Sequence, residues 1–317
     1  MAVNKDQRNR WAEDIQASVT QYNDWYLSFA PDAYDRSRRQ TADLVARTLE
    51  RSGYLARITL ELFQESPEAL SVLRMCTAPP LARDRLIGLS GVSKSLVNTL
   101  EKDNRLPPRM AAKEIEQHLR LIGDIIRRMA DPDLFPWIKE SRKPNADELK
   151  RAVMIVGDRV TGAVADPLIR NAQEARQLGV IRELLLPRGY KELALDQRSD
   201  AWSMPAKSFA FHLNVPVQNE DGANINIPMD AVIMPPGQAK KPLLVEAKSA
   251  GDFTNVNKRR KEEATKVRQL VATYKDGVRF ILFLCGYFDQ NYLAYEAAEG
   301  IDWVWEHRPD DLLKFGL

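Results

Sequence analysis

The feature that most constrains this chain is a short apolar run that ends in charged residues. Residues 243–245 are Leu-Leu-Val, and Glu246, Ala247 and Lys248 follow at once. A run with no polar position is typical of a strand that is covered on both faces of a sheet. Because side chains alternate along a strand, Glu246 and Lys248 share one face and Ala247 takes the other. An unpaired charge in a protein interior is very costly, so these two side chains need a partner or a chemical role.

A second acidic residue is predicted to meet them. Residues 226–234 form another strand-like segment, which contains Asp230, and the turn-rich residues 235–237 lead from it toward the apolar run. Carboxylate oxygens suit Mg²⁺, and a lysine beside them can orient or deprotonate a water or stabilise developing charge. The simpler alternative is an ordinary hairpin in which Glu246 and Lys248 form a salt bridge at the end of a sheet.

The pattern Pro228-Met229-Asp230 followed by Glu246-Ala247-Lys248 resembles the PD-(D/E)xK nucleases. The resemblance implies an α/β fold with a restriction-endonuclease-like core, a mixed sheet built in the order αβββαβ. It also implies that Asp230 and Glu246 are metal ligands. Lys248 is then the water-activating or charge-stabilising group of a Mg²⁺-dependent nuclease.

In such folds the helix before the first core strand often presents a further carboxylate to the metal. Residues 167–186 have helical apolar spacing and carry both Glu174 and Glu183. We prefer Glu174 as the fourth catalytic residue. A solvated acidic side chain is the alternative for either one.

The order of predicted elements divides the chain in two. Residues 1–160 contain only helical patterns and predict an all-α DNA-binding domain, whereas residues 161–317 predict the nuclease domain. Pro31 is expected to interrupt the first helical segment, and a new helix is expected to begin at Pro167.

Residues 82–106 have the form of two helices around a glycine turn. The first ends at Gly91 and the second begins near Ser93, as in a helix-turn-helix of the phage-repressor type. In such domains the early residues of the second helix reach base edges, which nominates Lys94, Ser95 and Asn98. A helix-hairpin-helix that grips phosphates and a plain helical pair both stay open.

Two further segments carry candidate DNA contacts. Arg198 lies in the irregular residues 190–208, in a loop that faces DNA or simply covers the surface. Lys258, Arg259, Arg260 and Lys261 begin the helix that follows the Glu-x-Lys strand. They are placed to hold the scissile strand through its phosphates, although a basic run is more often a solvated face.

Composition limits the partners and the compartment. The 317 residues carry a formal net charge of +2, so a DNA-binding surface has to come from local clustering. No apolar segment approaches the length that spans a membrane, and the polar N-terminus argues against a signal peptide. Cys76 and Cys285 lie far apart in apolar surroundings, which favours buried thiols in a reducing compartment. We therefore expect a cytoplasmic protein without membrane contact.

Longer stretches resemble a narrower group. Residues 246–264, 211–217 and 81–93 are similar to the XamI-like type II restriction endonucleases, and the similarity covers most of the chain. It implies a Mg²⁺-dependent enzyme that binds a short, usually palindromic duplex sequence and cleaves both strands. A palindrome implies a symmetric homodimer in which each active site addresses one strand. A cognate DNA methyltransferase is the expected genetic partner.

Two other functions stay open from the sequence. One is a PD-(D/E)xK nuclease for DNA repair or junction resolution, and the other is a non-catalytic helix-turn-helix regulator. The helical half with its candidate base-reading helix favours restriction over repair. A regulator leaves the charges at the end of a buried strand unexplained.

Overall fold

The computed structural model describes residues 2–194, 200–218, 222–237, 241–254 and 256–317, with the side chains of 256–261 outside the description. Helices and strands alternate only in the second half. The helices are α1 (Trp11–Arg51), α2 (Leu60–Glu65), α3 (Ala69–Met75), α4 (Arg83–Ser90), α5 (Lys94–Lys102), α6 (Ala112–Met129), α7 (Pro136–Lys139), α8 (Ala146–Leu185), α9 (Val256–Tyr274) and α10 (Gln290–Ala298). A 3₁₀ helix, Pro309–Phe315, follows the last strand. Within the described part of the chain, no helix is both long and apolar enough to cross a bilayer.

Six strands form one mixed sheet. They are β1 (Lys191–Glu192), β2 (Ser208–Gln218), β3 (Asn224–Met234), β4 (Leu243–Ala250), β5 (Arg279–Gly286) and β6 (Asp302–Trp305), and they lie side by side in that order. Pairing is antiparallel from β2 through β4 and parallel elsewhere. The predicted hairpin of residues 226–248 is therefore confirmed.

Each face of the sheet is covered by its own apolar cluster. The first cluster includes Leu178 and Ile181 of α8 and packs on Val245 of β4; we call this side the α8 face. The second includes Leu270 of α9 and packs on Leu244 of β4; we call this side the α9 face. Because both faces are covered, residues 243–245 of β4 and 280–285 of β5 are continuously apolar.

The chain divides into two compact units, one of residues 30–169 and one that joins residues 1–29 to 170–317. In the first unit, helices surround a core that includes Leu49, Phe63, Leu73 and Leu96. The second unit holds the sheet, and Trp11 of α1 is part of its apolar core. Helical content throughout the N-terminal region agrees with the sequence, whereas the separate roles predicted for residues 1–160 and 161–317 stay predictions.

Two helix boundaries predicted at prolines are wrong. Helix α1 continues through Pro31, and α8 continues through Pro167 from Ala146 to Leu185. A proline removes one backbone hydrogen bond and costs about 3 kcal/mol inside a helix. Buried residues lie on both sides of each proline: Ala30 and Ala33 around Pro31, and Ala165 and Gln173 around Pro167. Packing of that kind outweighs a single missing bond.

The predicted helical pair of residues 82–106 is present as α4 and α5. Gly91 ends α4 with a φ of 64°, in the left-handed region that glycine adopts without strain. Ser93 occupies the N-cap position of α5, but its hydroxyl makes no capping hydrogen bond. The geometry of two helices around a glycine turn is confirmed, and its role on DNA stays a prediction.

Candidate active site

Four residues selected from the sequence line one cleft. Asp230 of β3, Glu246 and Lys248 of β4, and Glu174 of α8 all contribute to its wall. Glu183, the alternative to Glu174, is exposed on α8 and is not among the residues that line the cleft. Three separate segments of the chain thus supply the predicted site.

On the α9 face, charges alternate along a chain of ion pairs. Glu246 Oε1 lies 2.9 Å from Lys248 Nζ and 2.6 Å from Lys266 Nζ. Lys248 Nζ also lies 3.1 Å from Oε1 of Glu263 on α9. Both glutamates are buried, and Glu246 Oε2 accepts no hydrogen bond from any side chain that the structure describes. The Glu246–Lys248 salt bridge therefore exists, but it is one link of a larger buried cluster.

The ammonium of Lys248 is held in its charged form. Burial acts to lower its pKa, but the carboxylates of Glu246 and Glu263 outweigh burial, and the net shift of the pKa is upward. Lys248 is thus a cation at neutral pH. This favours charge stabilisation over proton abstraction, the two roles that the sequence leaves open.

Asp230 lies at the junction of β3 and β4. Its Oδ2 accepts a hydrogen bond of 2.7 Å from the backbone N–H of Ala247. Burial and the nearby charge of Glu246 raise the pKa of Asp230 to about 6. A carboxylate whose pKa is raised in this way is stabilised in its ionised form by a cation placed beside it.

A histidine that the sequence analysis did not select joins this group. Ligand atoms of Glu174, His212 and Asp230 all lie within 4.8 Å of one another. His212 Nδ1 is 3.6 Å from Glu174 Oε1. The His212 backbone has a φ of 53°, which is uncommon for a residue other than glycine and is often found at functional sites.

The left-handed residue coincides with a reversal of side-chain direction in both strands of the hairpin. Phe211 pairs with Ala231, and Leu213 pairs with Met229, so the rung between them brings His212 opposite Asp230. Phe211 and Ala231 pack on the α8 face, but Leu213 and Met229 pack on the α9 face. A regular strand would keep residues two apart on one face. The alternation of side chains along β2 is therefore reversed at His212.

Two glutamine side chains of α8 hydrogen bond with the strands β4 and β5. Gln173 hydrogen bonds with Ser249 Oγ. Gln177 Nε2 donates to the carbonyl oxygens of Lys248 and Phe283, at 3.2 and 3.1 Å. Glu174 lies between these two glutamines in sequence, so both contacts fix the turn of helix that carries it toward Asp230.

The structure describes only some of the side chains that were predicted to contact DNA. Lys94 and Ser95 are exposed on α5, and Asn98 is half-buried there. The side chains of Lys258, Arg259, Arg260 and Lys261 lie outside the described residues, as does the whole of Arg198. Their assignment to DNA stays a prediction.

Sequence reasoning missed three residues of the site. They are His212 of β2 and Glu263 and Lys266 of α9. The one usable signal was spacing: Glu263 and Lys266 are three apart and so share a helix face with the apolar Leu270.

Comparison with known proteins identifies the chain. A family model described as XamI restriction endonuclease matches residues 53–305. The type II restriction enzyme SalI of Streptomyces albus G is 48% identical over 312 residues, which cover 98% of each protein. These matches define a DNA-cleaving enzyme of the type II restriction class. The chain belongs to the XamI restriction endonuclease family, and the two alternative functions are set aside.

A solved structure gives a weaker match. A Vibrio cholerae protein known from its crystal structure aligns with 81% of this chain at 13% identity and a TM-score of 0.30, and the alignment spans 56% of that protein. Similarity at this level carries no argument about fold or function.

Proposed function

We propose that this restriction endonuclease hydrolyses one phosphodiester bond in each strand of duplex DNA at a short palindromic sequence, with Mg²⁺ as its cofactor. The nuclease core is of the PD-(D/E)xK type. In this proposal α8, β2–β4, α9 and β5 are the core elements, and β1, α10 and β6 extend the sheet and cover it. The observation that carries the proposal is the meeting of Glu174, Asp230, Glu246 and Lys248 at one cleft.

The residues of the cleft fit a divalent cation. Asp230 and Glu246 offer hard carboxylate oxygens, the donors that Mg²⁺ prefers. Glu246 Oε2 is buried without a hydrogen-bond partner among the described side chains, and the pKa of Asp230 is raised to about 6. When bound, the cation would polarise the phosphate and favour ionisation of a water. Asp230 and Glu246 would hold it, with Glu174 as a further carboxylate.

The other side chains have separate roles in the proposal. Lys248, a buried cation, stabilises the negative charge that develops on the phosphate. His212 lies beside Glu174 and keeps that carboxylate near Asp230. Exposed Lys94 and Ser95 of α5, with Asn98, are the candidate base readers, and the basic residues 258–261 are the candidate phosphate contacts.

Palindromic recognition requires two equivalent active sites, so we expect a symmetric homodimer in the cytoplasm with a DNA methyltransferase that protects the same sequence. Gel filtration with light scattering measures the first property. Protection of the digested DNA by prior methylation measures the second.

The test is digestion of unmethylated plasmid by the purified protein with Mg²⁺ or with EDTA. We expect discrete fragments only with Mg²⁺, and sequencing of their ends to reveal a short palindrome. Glu246→Ala should give no fragments, whereas Glu183→Ala, an exposed change outside the cleft, should cut like wild type. A smear, or fragments that persist in Glu246→Ala, would contradict the proposal.

A further inference from the structure

Helix α9 carries a fully buried glutamate beside Lys248. Glu263 has 0% exposed surface, and its Oε1 lies 3.1 Å from Lys248 Nζ. Neither of its oxygens accepts a hydrogen bond from the side chains that the structure describes, so its contact with Lys248 is an ion pair. A buried carboxylate with so few partners is costly to keep and adds little stability. The arrangement calls for an explanation other than folding.

We propose that Glu263 is a positioning residue for DNA cleavage, which acts by holding the Lys248 ammonium at one point in the cleft. The inference rests on the proposed function, in which Lys248 stabilises charge on the phosphate. It extends the site from β4, where the Glu-x-Lys pattern lies, to the helix that covers it.

The geometry explains why one carboxylate is not enough. Lys248 Nζ lies between Glu246 Oε1 at 2.9 Å and Glu263 Oε1 at 3.1 Å. With Glu246 alone, a four-carbon side chain can swing about a single contact. Glu246 is itself shared with Lys266 at 2.6 Å and is the proposed ligand of the cation, so its hold on Lys248 is divided. Among the described side chains, no other cation lies within ion-pair distance of Glu263. Its carboxylate therefore holds the Lys248 ammonium from a second side.

The first measurement is steady-state cleavage of a duplex that carries the site found by plasmid digestion. Misplacement of a catalytic group by about 1 Å costs about 100-fold in rate, so Glu263→Gln should lower kcat by about 10- to 100-fold. KM should stay within about twofold, because Glu263 does not contact DNA in this proposal. The matched control is Glu296→Gln, which removes a fully buried carboxylate from α10, outside the cleft, and should leave kcat unchanged.

The second measurement does not depend on cleavage. Urea unfolding in EDTA of wild type, Glu263→Gln, Lys248→Met and the double variant forms a double-mutant cycle. Because the two charges stabilise each other, the unfolding equilibrium constant of the double variant should depart at least about fivefold from additivity. Additive effects would overturn the pairing.

The outcomes separate this inference from the proposed function. Wild-type kcat in Lys248→Met would refute the role of Lys248 itself. Wild-type kcat in Glu263→Gln together with an impaired Lys248→Met would refute only the positioning role. Calorimetric titration with Mg²⁺ supplies a third check. Weakened binding in Glu263→Gln that persists in the Lys248→Met background would make Glu263 a ligand and overturn positioning.

Discussion

Two buried groups of charges in this enzyme are built on opposite plans. In the helical unit, Arg74 and Glu101 form a bidentate pair, with distances of 2.5 Å from Nε to Oε1 and 2.8 Å from Nη2 to Oε2. Arg74 also donates to the carbonyl oxygen of Leu81. Both carboxylate oxygens of Glu101 are used, which is the arrangement that makes a buried pair tolerable.

The charged cluster around Glu246 in the cleft is not fully paired in this way. Two lysines crowd Oε1 of Glu246, while its Oε2 accepts no hydrogen bond from the described side chains. Asp230 next to it has a pKa raised to about 6. The Arg74–Glu101 pair is complete within the protein, whereas in the proposed function the charges of the cleft are completed by an incoming cation and phosphate. The two groups are alike in being buried and differ in pairing, since Glu101 uses both carboxylate oxygens and Glu246 uses one.

The largest expected effect is a loss of stability when Glu101 is replaced. Glu101→Gln leaves Arg74 buried without its counter-charge and should lower the free energy of unfolding by about 3–5 kcal/mol. The kcat of the folded fraction should not change. Urea unfolding and cleavage kinetics check both parts. A loss of kcat without loss of stability would reverse the contrast between the two groups.

The corresponding substitution in the cleft, at Glu246, should change the cleavage rate much more than the stability. Glu246→Gln should lower the cleavage rate by about 10²–10³-fold, as loss of one electrostatic group at a reaction centre typically does. In EDTA, its free energy of unfolding should stay within about 1 kcal/mol of wild type, because Lys248 keeps Glu263 and Lys266 can turn to water. A severe loss of stability would mean that Glu246 is structural, like Glu101.

Asp230 gives a pH-dependent prediction. Its pKa is raised from 3.8 to about 6 in the folded protein, so the folded state binds more protons between these values. Stability in EDTA should therefore fall as pH rises from about 4 to about 6, by up to about 3 kcal/mol from this group. Asp230→Asn should lack that fall and be more stable than wild type above pH 6, yet inactive.

The control for Asp230 is Asp6→Asn, a change at an exposed aspartate. It should follow the wild-type curve of unfolding free energy against pH in EDTA. If Asp230→Asn also follows that curve, the surroundings of Asp230 do not raise the pKa of its carboxyl.

The smallest expected effect separates two glutamates of α8. Glu174→Gln should reduce cleavage about tenfold, because Glu174 lies beside Asp230 and His212. Glu183→Gln should have no effect, since that side chain is exposed and away from the cleft lining. Parallel kinetics on the two variants measure the difference. Equal activities would remove Glu174 from the site.

The sequence by itself determined the family, the order of elements from α8 to β5, and the four side chains that line the cleft. An apolar run cannot end in Glu246 and Lys248 without a reason, and Asp230 follows from the neighbouring strand. These conclusions depend on local patterns that the chain carries wherever it folds. The tertiary structure decided the rest.

Pro31 and Pro167 lie inside continuous helices because packing on both sides outweighs one lost hydrogen bond, and no local pattern contains that balance. The reversal of side-chain direction at His212 depends on one left-handed residue, which the sequence letters do not signal. Glu263 and Lys266 reach Lys248 and Glu246 because α9 covers this face of the sheet. A helix pattern tells which residues share a face, but which strand that face meets is settled only when the whole chain packs.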